Sequence, residues 1–77
     1  MPPIQVTIQL VGVFRIGRFR EELRNYPASA IPQTIIDELS IPLPLLGTVL
    51  INGRHASLDQ PLHDDDIVTL LPFLDGG

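Results

Sequence analysis

Ile4, Val6, Ile8 and Leu10 alternate with Gln5, Thr7 and Gln9. Period-two patterning of this kind predicts a strand with one buried face. Gly12 and Gly17 bracket a turn region. Residues 18–26 fit two descriptions equally: Phe19, Leu23 and Tyr26 have helical spacing, yet hairpin logic after a first strand favours a second strand. Pro27, Ala28 and Ser29 break the pattern. Ile31, Ile35, Ile36 and Leu39 then form one helical stripe. Pro32 is tolerated only in a first turn, so the helix is expected to start near Ala30. Pro42 and Pro44 are expected to stop it after about three turns. Val49 and Ile51 lead into Asn52-Gly53, a pair suited to a primed turn whose central residues both need positive φ. A strand over 54–58, a polar loop over 59–66 and a buried strand over 67–71 are expected to follow. Pro72 should end the hydrogen bonding of that last strand, leaving 73–77 as a tail. With 18–26 taken as strand, the order is strand, strand, helix and three strands. That order suits an α+β domain, a mixed sheet with one helix across a single face.

Length and composition narrow this picture. Seventy-seven residues make one domain with a modest core. The division expected is a folded body over 1–72 and a flexible tail over 73–77. The chain has no cysteine, which removes disulfides, thiolate metal sites and side-chain persulfides from consideration. Its five basic residues are all arginine, so no side-chain amine can form a Schiff base or accept an isopeptide bond. A net charge of -4 argues against a phosphate-binding surface and so against nucleic acid. The N-terminus lacks the layout of a signal peptide. The apolar stretch over 41–51 is too short to cross a bilayer and contains Pro42 and Pro44. A soluble, cytoplasmic protein is expected, whose remaining reactive handles are the ends of the chain.

The sequence closes on Gly76-Gly77 directly after a predicted strand. A terminal Gly pair arises by chance in roughly 0.5% of chains, although a frayed end is the plainer explanation. The functional explanation is steric: a carboxylate that must enter a partner's narrow site needs side-chain-free residues behind it. Five extended residues reach roughly 17 Å, enough to thread a channel from a docked body. Elsewhere, His63-Asp64-Asp65-Asp66 could suggest oxygen and imidazole metal ligands. A solvated turn is the better account, because neighbouring residues rarely converge on one ion. His55, beside Arg54, is expected at the surface. No phosphate loop, serine elbow or His-Glu helix motif is present. Leu43, Leu45, Leu46, Phe73 and Leu74 cannot all be buried in so small a body. Leu45 and Leu46 are expected to line the core, and Pro72, Phe73 and Leu74 to dock a partner.

Three stretches together resemble the ThiS/MoaD sulfur-carrier family, of ubiquitin-like β-grasp fold. They are Val49-Leu50-Ile51-Asn52-Gly53, then Pro61-Leu62-His63-Asp64-Asp65-Asp66-Ile67, then Leu71-Pro72-Phe73-Leu74-Asp75-Gly76-Gly77. Residues 31–42 also resemble the family's helix and the Ile-Pro that follows it. The resemblance implies a strand within 18–26 and a mixed sheet of four or five strands. Asp65 stands where the family commonly carries Gly, and Asp tolerates left-handed backbone better than most residues. The tail's Pro-Phe-Leu-Asp differs from the Pro-Pro, aliphatic and small residue of molybdopterin-type members.

The resemblance further implies a carrier, not an enzyme. It has no catalytic side chain, metal or cofactor of its own. An activating enzyme would adenylate the Gly77 carboxylate with ATP, and sulfide from a sulfur-donor enzyme would displace AMP. The resulting thiocarboxylate would serve an acceptor such as the molybdopterin synthase large subunit. Molybdopterin or tungstopterin biosynthesis is the first pathway implied, and thiamin the second. A ubiquitin-like modifier or a plain interaction module is the alternative.

Overall fold

The computed structural model describes residues 1–73. Strand β1 spans Ile4–Leu10, β2 Glu21–Tyr26, β3 Leu46–Ile51, β4 Arg54–His55 and β5 Ile67–Pro72. Helix α1 spans Pro32–Glu38, and short 3-10 turns occupy Gly12–Arg15 and Leu43–Leu45. The five strands form one mixed sheet in the order β2-β1-β5-β3-β4. The pair β1/β5 is parallel, with Ile8 opposite Val68; the other pairs are antiparallel. The chain's last strand therefore lies at the centre of the sheet.

The alternation in β1 performs as its pattern requires: Ile4, Val6, Ile8 and Leu10 are all buried. Val68 and Leu70 of β5 lie on the same side, and Ile35 and Ile36 of α1 complete the cluster with Phe14, Tyr26 and Leu62. The opposite face of the sheet is open. There Thr69 donates to Gln9 Oε1 at 3.0 Å, and Gln9 Nε2 donates to Glu21 Oε1 at 2.9 Å, a polar ladder across three strands. β5 is thus buried on one face only, with Ile67 exposed and Thr69 and Leu71 half-buried.

Residues 21–26 are strand, paired with β1 from Gln9–Glu21 to Ile4–Tyr26. At Asn52-Gly53 the two φ values are 52° and 82°, the primed turn expected of that pair. Asp65 adopts φ 70°, the left-handed conformation its position demands.

Four local expectations are corrected. α1 has seven residues, about two turns, and ends before either proline acts. Ser40 takes φ 55°, its N–H bonds Asp37 O at 3.2 Å, and the Ile41 N–H bonds Ile36 O at 3.1 Å. This double bond pattern closes a helix C-terminus, here with serine in the position glycine usually fills, and Ile41 is buried beneath it. β4 has only two residues. Beyond it the chain turns to the helix start, where Gln33 N–H bonds Leu58 O and Leu62 N–H bonds Ala30 O, both at 3.0 Å. Leu45 is exposed and only Leu46 packs against the core. Pro72 remains in the sheet opposite Leu46, and the Phe73 N–H still bonds Leu45 O at 2.6 Å.

Candidate functional site

The acidic turn is spent on structure. Asp64 Oδ1 accepts the Gln5 N–H at 2.8 Å, and the Asp65 N–H bonds Gln5 O at 2.7 Å. Asp66 is buried, which corrects the expectation of a wholly solvated turn. Its Oδ2 accepts the His63 N–H at 2.8 Å and its Oδ1 accepts Asn52 Nδ2 at 2.9 Å. Asn52 Oδ1 in turn accepts the Ile67 N–H at 2.9 Å. The network ties the start of β5 to both β1 and the β3–β4 turn. Among the described residues no three His, Asp or Glu side chains are arranged to hold a metal ion. His55 is exposed.

An open cleft at the end of β1 is lined by Gln9, Leu10, Val11, Arg15, Arg20 and Glu21. None of these carries a hydroxyl, thiol or imidazole, Glu21 accepts from Gln9 Nε2 at 2.9 Å, and the two arginines are exposed. A second ionic group links β2 to α1. Arg24 bridges Glu22 and Glu38 at 2.6 and 2.9 Å, and the Tyr26 hydroxyl donates to the same Glu38 oxygen at 2.7 Å. Burial, then this hydrogen bond, pushes the Tyr26 phenol well above its ordinary range. These contacts tie the edge strand to the helix.

The other end of β5 differs. Because β1 and β5 run parallel and β3 runs against them, three features meet there: the turn after β1, the turn before β3, and Pro72-Phe73. A Cβ on Gly12 would lie 3.3 Å from Pro72 Cγ, so the first turn abuts the end of β5. Phe73 is 65% exposed, beside Leu43 and Leu45, each 49% exposed, and the first turn presents Val13 and Ile16. Apolar side chains on turns this exposed are spared by no packing need of the fold. Arg15 ends the first turn and Arg18 and Arg20 follow it, whereas Asp64, Asp65 and Asp66 sit at the opposite end of β5. Of the sequence-predicted positions, Pro72 is half-buried and Phe73 exposed at this exit. Leu74, Gly76 and Gly77 lie outside the described residues. Leu45, Val13 and Ile16 were not expected here. The Leu-Pro-Leu run could have signalled Leu45, since a proline-broken segment seldom buries all its apolar residues.

A mixed sheet in this order with one helix over one face is the ubiquitin-like β-grasp fold. No protein-family model matches the chain, and no curated protein matches it. Solved structures do. A Pyrococcus furiosus protein described as molybdopterin converting factor, subunit 1, superposes with TM-score 0.75 at 23% identity, over 92% of this chain and 99% of that one. Small archaeal modifier protein 1 of Haloferax volcanii gives 0.75 at 18%, over 92% and 99%. A Helicobacter pylori structure, a complex of subunits 1 and 2 of molybdopterin-converting factor, gives 0.63 at 25%, over 96% and 100%. The neighbours are thus molybdopterin converting factor subunits and small modifiers, consistent with the family that the sequence resembles. At these identities the likeness is one of fold. Among the described residues no helix is long and apolar enough to cross a membrane.

Proposed function

We propose that this small ubiquitin-like protein is a sulfur carrier whose working group is the Gly77 carboxylate. The observation that carries the reading is the exit of the central strand. β5 delivers the chain into an exposed apolar rim of Phe73, Leu43 and Leu45, four residues before Gly77. An adenylating enzyme docks on that rim, with Pro72 and Leu74 contributing, and takes in the tail. The carboxylate attacks the α-phosphorus of ATP and releases pyrophosphate, which gives an acyl-adenylate. Hydrosulfide supplied by a sulfur-donor enzyme adds to that acyl carbon and expels AMP, leaving a thiocarboxylate. The carrier is a co-substrate and lends no acid or base. Its ATP-dependent cycle belongs in the cytoplasm.

The acceptor we favour is a molybdopterin synthase large subunit, in molybdopterin or tungstopterin synthesis, by likeness to the two-subunit Helicobacter pylori complex. Thiamin synthesis is the second pathway. A modifier role, in which Gly77 forms an amide with a target lysine, is favoured by the likeness to small archaeal modifier protein 1. Intact mass decides between them after incubation with the activating enzyme of the same organism, ATP and sulfide. Replacement of one terminal oxygen by sulfur is the expected change. A covalent amide conjugate, or an unchanged mass, overturns the carrier reading.

A further inference from the structure

Gly47 stands in β3 between Leu46, which pairs with Pro72, and Thr48, which pairs with Leu71, so the register shifts at this residue. Its φ lies outside the left-handed region, and a side chain there would meet no backbone strain. Room is what the position lacks. A Cβ would fall 2.8 Å from Phe73 Cα, 2.9 Å from Phe73 N and 2.9 Å from Pro72 O. Those are backbone atoms, which cannot swing aside as a flexible side chain does. Glycine in a strand interior weakens the strand, so propensity alone does not account for it here, and the close approach of Pro72 and Phe73 does. Bulges commonly sit where a strand end is redirected beside a working site.

We infer that Gly47 is a positioning residue for the C-terminal carboxylate, an inference that rests on the carrier reading. The missing side chain lets Pro72 and Phe73 run hard against β3. The Phe73 N–H then reaches Leu45 O at 2.6 Å, which sets the point and heading at which the chain leaves the body. Four residues follow Phe73, up to Gly77, and span at most about 14 Å. A reach so short leaves little slack to correct a displaced exit. Gly47 touches no reacting atom and acts through the Phe73 backbone.

The test is Gly47→Ala in the full chain, assayed for ATP-dependent adenylation by the activating enzyme of the same organism. We expect kcat to fall about 100-fold at saturating carrier, the scale of an ångström-level misplacement. Loss of exchange protection at the Phe73 amide should accompany it, with the rest of the amide spectrum retained. A merely structural role would lower activity only in proportion to the folded fraction, and that result overturns the inference. So does unchanged kcat while the wild type is active. If the variant does not fold, the wild type still decides: a Phe73 amide exchanging at the unprotected rate shows an exit that Gly47 does not fix. A wild-type chain that is never adenylated overturns the carrier reading itself and this inference with it.

Discussion

Phe73→Ala separates a docking residue from a packing residue, because the two roles predict opposite results in two assays. Phe73 is 65% exposed, so only about a third of its surface is removed from water within the domain. Full burial of such a side chain is worth about 1.5–3 kcal/mol, which leaves roughly 0.5–1 kcal/mol to lose here. In a domain of this size that lowers the melting temperature by no more than about 4–8 °C. The hydrogen bond from its N–H to Leu45 O belongs to the backbone and survives the substitution. An exposed aromatic that anchors a partner loses about 1–3 kcal/mol of binding, a factor of roughly 5 to 150 in affinity. Thermal melting and calorimetric titration with the activating enzyme, on the same preparation, supply both numbers. Leu70→Ala is the control of opposite character: Leu70 is fully buried, and its truncation should cost about 2–5 kcal/mol of stability. If Phe73→Ala behaves like that control, with a large drop in melting temperature and unchanged affinity of the folded fraction, the docking argument is refuted.

Asp66→Ala should destabilise by about 1–3 kcal/mol, because it removes two part-buried hydrogen bonds to a carboxylate, from the His63 N–H and the Asn52 amide, both on residues that water can reach. Urea unfolding with an unchanged slope is the check, and a loss below about 0.5 kcal/mol would contradict the buried network. At high pH the stability should report Tyr26 almost alone, since the chain has one tyrosine, no cysteine and no lysine. The folded phenol titrates above its ordinary value of 10.0, so its contribution is complete below pH 10 and is lost as pH rises from there towards the raised value. The slope should reach about 1.4 kcal/mol per pH unit and vanish in Tyr26→Phe; equal slopes in both proteins would refute it. Removal of Gly76 and Gly77 leaves every described hydrogen bond in place. Stability should hold within about 0.5 kcal/mol while the sulfur-dependent mass change disappears, and a truncated chain that still gains sulfur would end the carrier proposal.

What the sequence made legible follows from how many side chains each element buries. β1 buries four alternate residues, and its pattern was unambiguous. β2 is an edge strand in which Tyr26 alone is buried and Leu23 is exposed, so neither period had enough apolar positions to prevail there. Only the family resemblance resolved it. The prolines after α1 pointed to the right neighbourhood but the wrong residue, because a serine in left-handed geometry leaves no compositional mark. Leu45 illustrates the limit for the site. Its hydropathy suited a core position, yet the 3-10 turn that carries it faces outwards at the strand exit. The acidic turn was placed correctly between strands, while the burial of Asp66 depends on Asn52, fourteen positions away, and no local pattern encodes that pairing.

The two ends of β5 then bear on one quantity, its register. The strand alternates Val68 and Leu70 inwards with Ile67, Thr69 and Leu71 half-buried or exposed, so a slip of one residue would turn the core face outwards. At its start, Asp66 and Asn52 hold Ile67 against β3, and the Gln5 contacts of Asp64 and Asp65 hold it against β1. At its finish, the bulge at Gly47 admits Pro72, and Leu45 accepts the Phe73 N–H. On the other flank the Val11 N–H bonds Leu70 O at 3.2 Å, so the strand is held on both flanks at both ends. The position of Phe73 is therefore fixed by contacts as far off as the acidic turn. Weakening that turn should shift the exit as well as the stability, which makes the Phe73 amide a sensitive reporter in Asp66→Ala too.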